Sequence, residues 1–350
     1  MQREIKIGNK YIGSGHPCFI IAEMSGNHNM DYKRAEEIVL AAAGAGVDAI
    51  KLQTYTADTI TLNSSASCFF TETGGLWEGQ TLYELYQNAY MPWEWQPKLK
   101  KLADELGIIL FSSPFDITAV EFLEKIDVPA YKIASFEITD TMLLRKVAET
   151  GKPIMISAGI ADIADIDLAI QVCKDAGNEQ VILLKCTSAY PAPYKEMNLA
   201  MIPNMKETFG CNVGLSDHTL GDEVALAAVT IGAAAVEKHI TLKRSDGGVD
   251  ADFSMEVEEM KNMVKRIRNV ESAIGKVDYC LTEVQKKERR FSRSLFVAKS
   301  IKKGEIFTTE NIRSVRPNNG LPVKYLEQVL GKRAVRDLTY AKPLEWADVE

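Results

Sequence analysis

A chain of 350 residues, 46% hydrophobic and 25% charged, has apolar mass for one large domain plus a small one, or for two ordinary ones. No apolar run nears the ~18 residues of a membrane helix, and the opening MQREIKIGNK lacks the apolar stretch of a signal peptide, so the cytoplasm is expected. The net charge of −7 is uneven: residues 1–285 carry 26 Lys/Arg against 40 Asp/Glu, while residues 286–350 carry 15 against 8.

Short apolar runs alternate with helix-period segments, the pattern of parallel strands joined by crossover helices. The runs are CFIIAEM (18–24), AIKLQTY (49–55), IILFSSP (108–114), AYKIAS (130–135), PIMISA (153–158), VILLKCTS (181–188), NVGLSDH (212–218) and AVEKHITL (235–242). Between them, Leu99, Leu102, Ala103 and Leu106 repeat at helical spacing, as do Ala119, Phe122, Leu123 and Ile126. Eight such units predict a (β/α)8 TIM barrel. A doubly wound open sheet is the rival, but no G-x-G-x-x-G follows any run.

Two segments depart from the repeat. Residues 56–93 exceed the usual βα loop of ~2–6 residues and carry Gly74, Gly75 and Gly79 with Phe69, Phe70, Trp77, Tyr83 and Tyr86. Leaving the second run, this excursion is expected over the barrel's active face, in a substrate-covering role in preference to a separately packed cluster. After the last run, Met260, Met263, Val264, Ile267, Val270 and Ile274 mark a long closing helix. The charged stretch 285–290 reads as a linker, so the domains are 1–285 and 286–350, the latter a compact module with short strands. An acidic body and a basic tail attract each other, within or between subunits. Nucleic-acid binding is the other reading of a basic tail, but no recognition-helix, zinc-finger or aromatic-plus-basic pattern accompanies it.

Barrel chemistry sits at the C-terminal ends of the strands, and the polar residues collect there. Lysines in four buried runs, Lys51, Lys132, Lys185 and Lys238, are costly unless paired or facing a ligand. Ion pairs inside the barrel would account for one or two. Together with the strand-end serines they suggest a pocket for an anion with several oxygens, such as a phosphate plus a carboxylate. Two of the four histidines, His218 and His239, end adjacent runs and could converge on a metal ion, with Glu137 nearby; a core histidine or general base is the alternative. His28 leaves the first run toward the active face, to touch substrate or to cap its loop. The six cysteines show neither C-x-x-C nor zinc-site spacing and read as reduced thiols.

In this order, IAEMSGNHN (21–29), KLQTY (51–55), SSPFD (112–116), YKIASFE (131–137), KCTSAYPA (185–192), GLSDHT (214–219) and EKHITL (237–242) resemble the sialic acid synthase family, the nonulosonic acid synthases. SLFVAKSIKKGE and VRPNNGL resemble that family's C-terminal SAF, or antifreeze-like, domain. The resemblance implies phosphoenolpyruvate against Lys51, Ser113, Lys132, Ser135, Ser157, Ser188 and Ser216. Ser113 stands where the neuraminic acid branch has threonine, and Ser188 where it has asparagine. It implies Mn2+ or Mg2+ on His218 and His239, and the sugar against Glu23, Gln53, Glu137, Tyr190 and Asp250. Arg316 matches an arginine that reaches the substrate's acylamino group across a homodimer, the C-terminal domain covering the partner's active site.

The implied chemistry is attack of the phosphoenolpyruvate enol carbon on the open-chain sugar's aldehyde, polarised by the metal. Water then adds at C2 and phosphate leaves by C–O cleavage. Glu23, Glu137, Lys51 and Lys132 are the expected catalytic residues, with Glu137 handling the water proton and the lysines offsetting anionic charge. WEGQTLY (77–83) and SDGGVD (245–250) resemble the pseudaminic acid branch, implying 2,4-diacetamido-2,4,6-trideoxy-L-altrose as substrate and pseudaminic acid as product. The alternatives are an N-acetylneuraminic or legionaminic acid synthase acting on the corresponding N-acetylated hexosamine, another metal-dependent barrel enzyme, or a non-catalytic carbohydrate-binding protein.

Overall fold

The computed structural model describes residues 4–71 and 77–350; the first three residues and the stretch with Gly74 and Gly75 lie outside the described residues. The chain forms two compact units, Met1–Gly275 and Lys276–Glu350. Residues 276–285, assigned to the barrel side in the sequence reading, thus group with the smaller unit.

All eight apolar runs are strands, each trimmed at one or both ends. After a short antiparallel hairpin, β1 (Ile5–Ile7) and β2 (Lys10–Ile12), come β3 (Phe19–Glu23), β4 (Ala49–Thr54), β5 (Ile109–Pro114) and β6 (Tyr131–Ile133). They are followed by β7 (Ile154–Ser157), β8 (Val181–Cys186), β9 (Asn212–Asp217) and β10 (Ala235–His239). β3 to β10 close into a parallel barrel in chain order, β10 pairing with β3. The expected (β/α)8 architecture is therefore the observed one.

The connecting helices are α1 (Tyr32–Ala45), α2 (Ala57–Ile60), α3 (Leu82–Ala89), α4 (Gln96–Leu106), α5 (Ile117–Lys125), α6 (Thr141–Ala148), α7 (Ile163–Asp175), α8 (Met201–Phe209), α9 (Glu223–Thr230) and α10 (Val257–Ile274). Four are capped by an aspartate side chain: those of Asp31, Asp116, Asp140 and Asp162 accept first-turn N–H groups of α1, α5, α6 and α7. Each such cap contributes ~1 kcal/mol and fixes where a loop ends.

The hairpin was not anticipated. Its three-residue strands are shorter than any periodicity window resolves. Lys10 pairs with Asp48 at 3.1 Å, just ahead of β4, and Gly8 approaches the Ile109 side chain at the start of β5. The hairpin therefore packs on the N-terminal end of the barrel. The expected closing helix is α10, held at that end by Arg268, which donates to the Cys18 carbonyl at 2.8 Å and to Asp48 at 2.7 Å.

The smaller unit contains α11 (Glu283–Glu288), an antiparallel pair of strands, β11 (Ser294–Val297) and β12 (Ile312–Val315), and α12 (Leu326–Val329). Its own core includes Leu295, Val297, Phe307, Ile312, Leu338 and Leu344. No helix among the described residues is long and apolar enough to cross a membrane.

Candidate active site

Strand side chains alternate between the barrel lumen and the helix layer. Glu237 and His239 on β10 therefore point inward together, while Lys238 points out. Register sets the inward groups at matching heights: Glu23 is level with both Lys51 and His239, and Gln53 with Ser113. A cavity of about 330 Å³ opens where these groups meet, at the C-terminal ends of the strands.

Its floor is ionic. Lys51 Nζ lies 2.8 Å from Glu23 Oε2 and 3.8 Å from Glu237 Oε1, and Lys132 Nζ is also 3.8 Å from Glu237 Oε1. Ser216 Oγ donates to Glu237 at 3.2 Å, and Lys51 donates to Ser113 Oγ at 3.2 Å. Burial works against the Lys51 ammonium, but the Glu23 and Glu237 carboxylates overcome it and hold its pKa above the usual range. For Lys132 burial prevails over Glu237, and the pKa is lowered. Burial pushes the Glu137 carboxyl up to about 7, with Lys132 opposing.

The sugar-side groups form one chain. Gln53 donates to Glu23 at 2.9 Å and to Ser25 Oγ at 3.0 Å, and Ser25 in turn donates to the Asp250 carboxylate. The imidazoles of His218 and His239 lie 5.3 Å apart, centroid to centroid, with Tyr190 4.5 Å from His218 and Phe253 4.9 Å from His239. Burial and then the His218 charge hold the His239 pKa well below its normal value, leaving the ring neutral with one nitrogen lone pair to offer.

Buried polar atoms are nearly always hydrogen-bonded, yet Ser157 Oγ, Glu137 Oε2, Glu237 Oε2 and His239 Nδ1 have no partner, and their residues all line this cavity. Two adjacent imidazoles, one with an unpaired Nδ1 3.8 Å from the Asp250 carboxylate, suit a borderline divalent ion. Among the described residues no group of three His, Cys, Asp or Glu converges as a complete metal site. The remaining ligands would have to be substrate oxygens or water.

Of the residues singled out in the sequence, Glu23, Lys51, Gln53, Lys132, Ser135, Glu137, Ser157, Tyr190, Ser216, His218, His239 and Asp250 border this one cavity. Ser113 lies behind Lys51, fully buried. Ser188 sits beside Cys186, its hydroxyl and that of Ser135 both where a Cβ at position 159 would fall; only glycine leaves that space. Arg316 is exposed, directly after β12 in the smaller unit.

Two of the four strand lysines do not join the pocket. Lys238 Nζ pairs with Asp217 at 2.8 Å and donates to the Thr219 carbonyl at 2.6 Å, outside the lumen. Lys185, half-buried, donates to the Cys186 carbonyl and Thr187 Oγ1. Both are structural. His28 is wholly buried, does not line the cavity, and accepts the Met30 N–H at Nδ1: its role is loop capping. Glu237 went unassigned in the sequence reading, although its i,i+2 relation to His239 was a usable signal.

The excursion after β4 borders the cavity with Ile60 from α2, Trp77, and Leu85, Tyr86 and Ala89 from α3. Trp77 Nε1 donates to the Val249 carbonyl at 3.0 Å, tying the excursion to the loop that carries Asp250. Phe70 is exposed, and Tyr83 turns outward to Asp58.

Comparison with known proteins adds an independent line. A NeuB family model matches residues 38–279, and a SAF domain model matches residues 292–350. The chain is 44% identical to a pseudaminic acid synthase of Campylobacter jejuni, with 98% of this chain and 99% of that protein covered. It is 43% identical to a pseudaminic acid synthase of Helicobacter pylori, with 95% and 98% covered. Among solved structures, an N-acetylneuraminic acid synthetase from Leptospira borgpetersenii superposes with a TM-score of 0.73 at 30% identity, covering 82% of this chain and 95% of that one.

Proposed function

This chain belongs to the NeuB family of sialic-acid-type synthases, and on that premise we propose that it condenses phosphoenolpyruvate with 2,4-diacetamido-2,4,6-trideoxy-L-altrose and water, giving pseudaminic acid and phosphate. The observation that carries the reading is the lumen in which Lys51 and Lys132 flank Glu237 beside two imidazoles. Near-full-length identity to pseudaminic acid synthases supports the choice of sugar.

Lys51 and Lys132 hold the phosphate and carboxylate of phosphoenolpyruvate, with Ser135, Ser157 and Ser216 as hydroxyl partners and Ser113 and Ser188 behind them. The unpaired Ser157 Oγ supports this assignment. Glu23, Gln53, Tyr190 and Asp250 receive the open-chain sugar's hydroxyls. His218 and His239 hold a divalent ion, Mn2+ or Mg2+, which when bound supplies Lewis acidity toward the aldehyde. The enol carbon of phosphoenolpyruvate bonds to the aldehyde carbon, the C=O π pair moves to the aldehyde oxygen, which takes up a proton from solvent, and water adds at the resulting cationic C2. Glu137 accepts that water's proton, and a carboxyl with a pKa of about 7 suits this task. The lysines offset negative charge while phosphate departs with the bridging oxygen.

We also infer a cytoplasmic homodimer in which Arg316 reaches the acylamino group in the partner's site. The opposite net charges of residues 1–285 and 286–350 support mutual attraction. To test the reaction, the protein is incubated with phosphoenolpyruvate, Mn2+ and each sugar in turn. Phosphate release with the trideoxy sugar supports the proposal; no release with any sugar refutes it.

A further inference from the structure

The cavity has two chemically unlike faces. Besides the ionic floor, the cavity is lined by the apolar side chains of Ile60 and Leu85 and the rings of Tyr86 and Phe115. Tyr55 braces this apolar wall, meeting Tyr86 edge-on at 5.8 Å and Phe115 at 5.1 Å. α3 presents this face because Leu82, Leu85, Tyr86 and Ala89 fall on one helical stripe. A capping box between Thr81 and Glu84 fixes where that stripe begins. Leu85 is 7% exposed although its side chain borders open space. A wholly polar substrate would gain nothing from such a wall, whereas methyl groups would.

We propose that this wall is the subsite for the distal, apolar end of the sugar: the C6 methyl and the methyl of its second acetamido group. It thereby selects a 6-deoxy, doubly N-acylated sugar over a hexosamine that ends in a hydroxymethyl group. The inference rests on the proposed condensation and deepens it. With its aldehyde beside the imidazoles and its hydroxyls on Glu23, Gln53 and Asp250, an open-chain hexose would have its far end left to the lining that α2 and α3 supply to the same cavity. A hydroxyl pressed against Leu85 and Phe115 exchanges water for carbon, while a methyl group there leaves water behind.

The test measures kcat/KM for 2,4-diacetamido-2,4,6-trideoxy-altrose and for 2-acetamido-2-deoxymannose. It uses the native protein, Leu85→Asn, and the milder Ile60→Thr, which alters a half-buried position should the first fail to fold. Apolar pockets discriminate such differences by about 10–200-fold. The native preference for the trideoxy sugar is expected to fall at least ~10-fold in the variants through loss on that sugar alone, with the KM for phosphoenolpyruvate unchanged. An unmoved ratio, or equal losses on both sugars and on phosphoenolpyruvate, overturns the subsite. Native protein that turns over neither sugar overturns the reaction itself.

Discussion

Lys132 and Glu237 stand on opposite strands of the barrel, β6 and β10, and bridge its lumen at 3.8 Å. Both are buried, and Lys51 approaches the same carboxylate oxygen from β4, midway between them. The shared carboxylate favours the charged form of both lysines, and Glu23 adds to this at Lys51, while burial still lowers the Lys132 pKa. An anion bound between them would give Lys132, whose ion-pair carboxylate lies 3.8 Å away, a second partner.

Substituting the two kinds of strand lysine should therefore have unlike effects. Lys132→Ala is expected to raise the KM for phosphoenolpyruvate about 10- to 100-fold, the loss of one charge-assisted hydrogen bond. Lys238→Ala should instead leave that KM near native and lower stability by about 3–5 kcal/mol, because Asp217 is stranded. Initial-rate kinetics and urea denaturation separate them; an unchanged KM in Lys132→Ala contradicts the pocket assignment.

The imidazole pair predicts dependence on a divalent ion. Chelation should abolish turnover in the native protein and added Mn2+ should restore it, whereas His239→Ala should stay inactive at any metal concentration. Full activity after exhaustive chelation would remove the metal from the scheme.

Glu137 predicts the acid limb of the pH profile. Acting as base it must be ionised, so kcat should rise with pH through about 7. The same shift has a stability consequence. A carboxyl raised from 4.5 to about 7 in the folded state contributes stability fully present below pH 4.5 and lost as pH rises through 7. Glu137→Gln should remove both the limb and the slope; a limb that persists in the variant assigns the proton elsewhere.

Arg316 predicts complementation. Arg316→Ala should raise the KM for the sugar more than that for phosphoenolpyruvate, and mixing it with Lys132→Ala should recover part of the native activity if each subunit completes the other's site. No recovery on subunit exchange argues for sites that are whole within one chain.

The sequence disclosed the barrel more readily than its lining. Continuous Val/Ile/Leu runs mark buried parallel strands, and all eight were legible for that reason. The same continuity hides which side of a strand faces the lumen. Lys238 and Lys185 therefore read like Lys51 and Lys132 until register placed them outside. His218 and His239 ended neighbouring runs, and that was enough to bring them together. The α3 stripe was present in the spacing of Leu82, Leu85, Tyr86 and Ala89, but only the closed barrel reveals which surface it faces. β1 and β2 were below the length at which alternation carries a signal.

In the proposed reaction this lumen joins phosphoenolpyruvate to a sugar and breaks the carbon–oxygen bond. Phosphoenolpyruvate carrying 18O in its bridging position tests it most directly, with both products weighed by mass spectrometry. All the label is expected in the released phosphate and none in the nine-carbon acid; label retained at C2 of that acid would overturn the proposed reaction.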